Sequence, residues 1–137
     1  MDPRRDTGGA TTVIVADDEE DSRTLLAQAL RDDGYDVLEA ADGVALLTML
    51  DDPTLNADVV VTDVKMPRLS GLGVLHALRH ARGAIPVVVM TGLADPSIRT
   101  VAMTMGAVAV LKKPFDPAEM LSAVRQAGAR THRDDRR

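Results

Sequence analysis

Asp17, Asp18, Asp63, Thr91 and Lys113 are residue types that can do together a chemistry none can do alone. Each sits at the end of a short apolar run: the acidic pair after Val13–Ala16, Asp63 after Val59–Thr62, Thr91 after Val87–Met90 and Lys113 just past Val108–Leu111. Any one of them alone reads as a polar residue where a strand meets a wet loop. The set is harder to dismiss. Carboxylates brought together repel, and their pKa values rise unless positive charge neutralises them. One lysine cannot neutralise three. A hard divalent cation can, and Mg²⁺ takes one or two carboxylates, waters and a phosphate oxygen. An ammonium and a hydroxyl suit the outer oxygens of a phosphoryl group. An aspartate beside them can act as a nucleophile and form an acyl phosphate. Gathered in one crevice, these residues read as a site for phosphoryl transfer to an aspartate.

The elements that must gather them follow from hydrophobic patterning. Four runs, Val13–Ala16, Val59–Thr62, Val87–Met90 and Val108–Leu111, are short and mostly β-branched, and each reads as a buried strand. Tyr35–Ala40 is mixed and suits a strand at a sheet edge. Helical faces lie between them: Leu25, Leu26, Ala29 and Leu30; Leu46, Leu47 and Leu50 behind Asp42 as cap; Leu72, Leu75 and Leu78. Two further helices open on Asp-Pro pairs, Asp95–Pro96 and Asp116–Pro117, the second with Glu119 placed as in a capping box. Their faces are Ile98, Val101, Ala102 and Met105, then Met120, Leu121, Val124 and Ala127. Strand–helix alternation implies an α/β fold, a doubly wound five-stranded parallel sheet. With right-handed crossovers the order 2-1-3-4-5 puts the mixed strand at an edge, and ligands bind beyond the strand carboxyl ends where the order reverses. Residues 1–11 read as a polar arm, 12–128 as the domain and 129–137 as a frayed polar tail.

Composition narrows the classes. The 137 residues include no cysteine, one tyrosine and one phenylalanine, so the core is aliphatic and thiolate metal sites are excluded. A net charge of −5 argues mildly against nucleic-acid binding by the chain itself. No apolar run approaches the roughly 18 residues of a membrane span, and no apolar stretch follows Arg4 and Arg5 as in a secretory signal, so the expected location is cytoplasmic.

Four segments stand out: Val-Ile-Val-Ala-Asp-Asp-Glu-Glu-Asp-Ser-Arg (13–23), Val-Val-Val-Thr-Asp-Val-Lys-Met-Pro-Arg-Leu-Ser-Gly-Leu (59–72), Val-Val-Val-Met-Thr-Gly (87–92) and Leu-Lys-Lys-Pro-Phe (111–115). Together they resemble the receiver domains of bacterial two-component response regulators, chemotaxis-regulator-like and of flavodoxin-like (βα)5 topology. The resemblance covers about residues 12 to 128, and the four motifs stand in the family's order. It implies Asp63 as phosphoacceptor and Mg²⁺ (or Mn²⁺) held by Asp18, Asp63 and the Lys65 backbone carbonyl, with Asp17 acting through a water. Thr91 and Lys113 would contact phosphoryl oxygens, and Lys113–Pro114 would be cis. The implied partners are a sensor histidine kinase or histidine phosphotransfer protein and an unknown downstream protein, with neither direct nucleic-acid nor membrane binding. A phosphorylation-dependent dimer through the fourth-helix, fifth-strand and fifth-helix face also belongs to the pattern. Such a chain is no enzyme beyond catalysing its own phosphorylation and dephosphorylation.

There are departures and rivals. Val110 stands where the family's switch aromatic would be, either as a filler on an exposed strand face or as a weakening of the Thr91 coupling. Gly92, where alanine is commoner, would add backbone freedom. Lys65 would affect phosphate lifetime or pair with Glu19 or Glu20. His76 and His80 read as a solvated helix face, Met103 and Met105 as packing, and the C-terminal arginines as tail. A haloacid-dehalogenase-type phosphatase wants an acid two residues past its nucleophile, where this chain has Lys65. A flavin or nucleotide protein would show a Gly-x-Gly-x-x-Gly or Walker-type loop, and none is present. A phosphorylation-independent binding module is the nearer rival. Whether the chain is a stand-alone regulator or the receiver of a longer regulator or hybrid kinase stays open.

Overall fold

The computed structural model describes residues 11–81, 85–92 and 96–135, with side chains described up to residue 79 before the first gap and up to residue 128 in the last helix. In chain order the elements are β1 (Thr12–Ala16), α1 (Glu20–Asp32), β2 (Asp36–Ala40), α2 (Gly43–Asp51), β3 (Val59–Asp63), α3 (Gly71–Ala81), β4 (Val87–Thr91), α4 (Pro96–Thr104), β5 (Ala109–Lys112) and α5 (Pro117–Asp135). All strand pairs are parallel and the sheet order is β2-β1-β3-β4-β5, as the patterning predicts.

The sheet separates two aliphatic cores, because neighbouring side chains on a strand point to opposite faces. Ile14, Val60, Val87 and Val89 pack with α2, α3 and α4 residues such as Leu46, Leu75 and Ala102. Val13, Val15, Val59, Val61, Val88 and Met90 pack with α1 and α5 through Leu26, Leu30, Met120 and Val124. Tyr35 is buried in this second core, and Phe115 packs against its rim.

The strand register does the positioning. Ala16 lies opposite Thr62, Asp63 opposite Met90, and Thr91 opposite Lys112. The residues ending or just following β1, β3, β4 and β5 therefore share the carboxyl end of the sheet. At the opposite end Asp58 pins the register of β1 against β3: its N–H donates to the Thr12 carbonyl and its Oδ2 accepts from the Thr12 N–H, both at 2.8 Å.

Several expectations need correction. β5 is half-buried and its Lys112 exposed, because it forms the second sheet edge. Leu25 is 62% exposed, and the buried stripe of α1 is Leu26, Ala27 and Leu30. One residue is about 100° of helical turn, which carries Leu25 to the flank. On α4 only Ala102 is fully buried, while Val101 and Met103 are exposed at 42% and 43%. Met105 does pack against the first core. Helix α5 continues to Asp135, through most of the segment read as a tail. The Asp42 cap is present, its Oδ1 accepting from the Ala45 N–H at 2.7 Å. Asp116 Oδ1 accepts from the Ala118 N–H at 2.9 Å. The predicted Asp95 cap, the arm at 1–10 and the side chain of His80 lie outside the described residues.

The loop from Asp63 to α3 is tightly drawn. Val64 N–H bonds the Met90 carbonyl and Gly71 N–H returns to the Val64 carbonyl, both at 2.9 Å. A Cβ on Gly71 would overlap the Asp63 carbonyl oxygen. Arg68, at φ 73°, occupies the left-handed region that side chains disfavour. Urea unfolding is expected to show Gly71→Ala losing about 2 kcal/mol or more by displacing the backbone of Asp63. Arg68→Gly is expected to gain up to about 1 kcal/mol, the left-handed strain less the extra entropy of glycine in the unfolded chain.

Candidate phosphoryl-transfer site

The register brings the sequence-selected residues to one crevice. Asp17 is fully buried, Asp63 and Thr91 nearly so, and Asp18 is exposed at the rim. Asp17, Asp18 and Asp63 each offer a carboxylate oxygen within 4.8 Å of the others. Among the described residues they are the one group of three or more metal-ligand side chains at such spacing.

Lys113 supplies the positive charge. Its Nζ lies 2.7 Å from Asp63 Oδ2 and 3.2 Å from Asp17 Oδ2. Burial pulls the Lys113 pKa down, but the hydrogen bonds and charges of Asp63 and Asp17 outweigh it, so the pKa is raised and the ammonium stays charged. Its N–H also donates to the Thr91 carbonyl at 2.8 Å, and the following Lys113–Pro114 bond is cis. Lys112, the neighbour that could be confused with it, is exposed on β5.

Asp17 is saturated. Its N–H donates to the Ala40 carbonyl at 3.1 Å, Oδ1 accepts from the Glu19 N–H at 3.0 Å, and Oδ2 accepts from Ser22 Oγ at 2.9 Å as well as from Lys113. Asp63 Oδ1 carries one longer bond, from the Lys65 N–H at 3.2 Å. Beside it Asp63, Val64, Lys65, Thr91 and Gly92 line a cavity of about 230 Å³. A second, largely apolar groove of about 430 Å³ is lined by Lys113 with Glu19, Ser22, Leu25, Leu26, Gly92, Pro114, Phe115 and Pro117.

The donor set fits a hard divalent cation. It is all oxygen, two of the three carboxylates are buried, and one ammonium leaves the cluster net negative. The side chain of Lys65 is exposed and makes no ion pair with Glu19 or Glu20 among the described residues. Gly92 has room for a Cβ, so the observed conformation does not require glycine there. Val110 is half-buried against the core shared with α2, α3 and α4, so it is more than an exposed filler. His76 is exposed, as expected of a solvated face.

Two contributors were not singled out from the sequence: Ser22, on the Asp17 carboxylate, and Arg23, whose Nη1 donates to the Asp17 carbonyl at 2.9 Å. The signal was their place in the first turn of α1, which returns a side chain to the end of β1.

Asp18→Asn removes one carboxylate from the cluster without breaking a buried hydrogen bond. In cation-free buffer the variant is expected to melt a few degrees above wild type, by relief of repulsion. Mg²⁺ is expected to raise the melting temperature of the wild type and to leave that of the variant unchanged; thermal melts with and without Mg²⁺ check both.

A family model described as Response regulator receiver domain matches residues 13–125. Over 121 residues the chain is 39% identical to a probable transcriptional regulator, ycf27, of Cyanophora paradoxa, covering 87% of this chain and 48% of that protein. It is 34% identical over 128 residues to the probable transcriptional regulatory protein TcrX of Mycobacterium tuberculosis, covering 93% of this chain and 54% of that one. The chain thus spans about half the length of the curated relatives it matches. Among solved structures it resembles a response regulator receiver domain protein from Clostridium thermocellum, with a TM-score of 0.84 and 30% identity over 89% of this chain and 97% of that one. It also resembles FixJ-N, with a TM-score of 0.78 and 33% identity over 88% and 95%.

Proposed function

This chain belongs to the response regulator receiver family of two-component systems, and on that footing we propose that it is a phosphoacceptor switch whose acceptor is Asp63. The observation that carries the reading is Lys113 Nζ set 2.7 Å from Asp63 Oδ2, inside an acidic cluster and beside a cavity large enough for a phosphoryl group. The donor is a phosphohistidine on a sensor kinase or histidine phosphotransfer protein. Asp63 attacks phosphorus, the new O–P bond forms as the N–P bond breaks, and the imidazole nitrogen keeps the electron pair. Lys113 neutralises charge on the transferred group, and the Thr91 hydroxyl donates to one of its oxygens. Asp18, Asp63 and the Lys65 carbonyl would hold Mg²⁺, with Asp17 acting through a water; Mn²⁺ would serve similarly. When bound, the ion supplies countercharge to the phosphoryl oxygens. The chain catalyses only its own phosphorylation and dephosphorylation.

The apolar groove beside Lys113 supports a docking place for the donor protein, since exposed Leu25 and the rim of Phe115 offer an apolar seat adjoining the acceptor. Downstream, Val110 in place of an aromatic argues that the change at Thr91 reaches α4 weakly, through the loop that follows β4. The curated relatives are named as transcriptional regulators. This favours an output at a promoter, exerted through a DNA-binding partner or a further part of the same polypeptide.

Incubation with a small phosphodonor and Mg²⁺ is expected to add one phosphoryl group by intact mass in wild type and none in Asp63→Asn. Uptake that survives the substitution, or proceeds without a divalent cation, sinks the mechanism. Leu25→Glu is expected to slow transfer from a phosphohistidine protein at least about tenfold by disrupting an apolar contact, while uptake from the small phosphodonor stays at the wild-type rate. Equal slowing from both donors would remove the groove from the docking surface.

A further inference from the structure

Asp17 is also gripped from a direction the phosphoryl-transfer reading does not use. Arg23, in the first turn of α1, has only 16% of its side chain exposed. Its Nη1 donates to the Asp17 carbonyl at 2.9 Å and its Nε to Glu39 Oε1 at 3.3 Å. Glu39, on β2, accepts on its other oxygen from Arg31 at 3.4 Å, and Arg31 Nη2 donates to the Val37 carbonyl at 3.1 Å.

A guanidinium beside three carboxylates would be expected to fork onto one of them. Here it is turned onto a backbone carbonyl and held there by a fourth acid. Two effects follow. The Asp17 carbonyl and the Asp18 N–H belong to one planar peptide, so fixing the carbonyl fixes the direction in which Asp18 leaves the strand. Glu39 also turns the guanidinium away from the acidic cluster, so Arg23 pairs with none of its three carboxylates among the described residues.

We infer that Arg23, held by Glu39, is a positioning residue for the divalent-cation site, setting the Asp17–Asp18 peptide so that both carboxylates address one ion. The inference rests on the reading of the acidic cluster as a cation site. A strut that merely ties α1 to β2 would change stability and leave cation affinity alone.

Calorimetric titration of Mg²⁺, and separately Mn²⁺, into the full chain without phosphodonor separates these, alongside urea unfolding in EDTA. Wild type is expected to bind and Asp18→Asn to fail. Arg23→Gln and Glu39→Gln are each expected to lose roughly tenfold in affinity, as partners outside a metal's own ligands do. The double variant should be no weaker than Arg23→Gln, because the two act as one unit. Arg23→Lys should not rescue, since an ammonium lacks the fork that spans a carbonyl and a carboxylate. Losses below about threefold in both single variants, or losses that merely track instability in EDTA, overturn the inference. Should Arg23→Gln not fold, Glu39→Gln decides by the same limits. Equal cation binding by wild type and Asp18→Asn would instead overturn the cation reading itself.

Discussion

Three carboxylates with oxygens within 4.8 Å of one another, two of them buried, set the electrostatic constraint that the rest of the molecule serves. Burial multiplies their repulsion, and a charge withdrawn from water without a partner is costly. The chain answers from within by bringing Lys113 across from the far edge of the sheet to bridge Asp63 and Asp17. That bridge requires β5 to lie in register with β4 and β3 with β1, so the sheet topology and the charge balance are one requirement seen at two scales. It also leaves the cluster short of positive charge, which keeps it receptive to a cation.

The division of labour between the acids follows from how each is held. Asp17 has its N–H, its carbonyl and both carboxylate oxygens engaged, so it acts as fixed ground. Asp18 stands exposed at the rim, able to adjust to an ion. Asp63 lies between these extremes, one oxygen tied to lysine and the other lightly held by the Lys65 N–H. For the proposed transfer to Asp63, preorganisation of this kind would cost little, because Lys113 is already held beside the carboxylate. The tight return of Gly71 beneath Asp63 keeps the Asp63 backbone from yielding.

Much of this was legible in the sequence, and the failures have physical causes. Central strands declare themselves because burial on both faces forces continuous Val-rich runs, as in Val59–Val61 and Val87–Val89. The Val108–Leu111 run of β5 looks the same, yet an edge strand can be apolar while half of it meets water. Hydrophobicity and spacing place Leu25, Val101 and Met103 inside, but a helix's orientation depends on what it packs against, and hydrophobicity alone does not report an exposed flank. The acidic pair, Asp63, Thr91 and Lys113 were found because strand ends in this topology must converge. Ser22 and Arg23 escaped because they act through hydrogen bonds to a residue already accounted for, and no composition or period marks such a bond.

The alternation of the central strands has a further use. Along β3 and β4, Val60, Val87 and Val89 belong to the core beneath α2, α3 and α4, whereas Val59, Val61 and Val88 belong to the core beneath α1 and α5. With only two aromatic side chains, ring currents disturb few of these methyl groups. Neighbouring valines on one strand are thus a pair of independent methyl probes in nuclear magnetic resonance, one for each side of the sheet. A change that starts at Asp63 and Thr91 and propagates towards α4 would shift one set and leave the other still, so the molecule carries its own differential readout of the side through which the signal leaves.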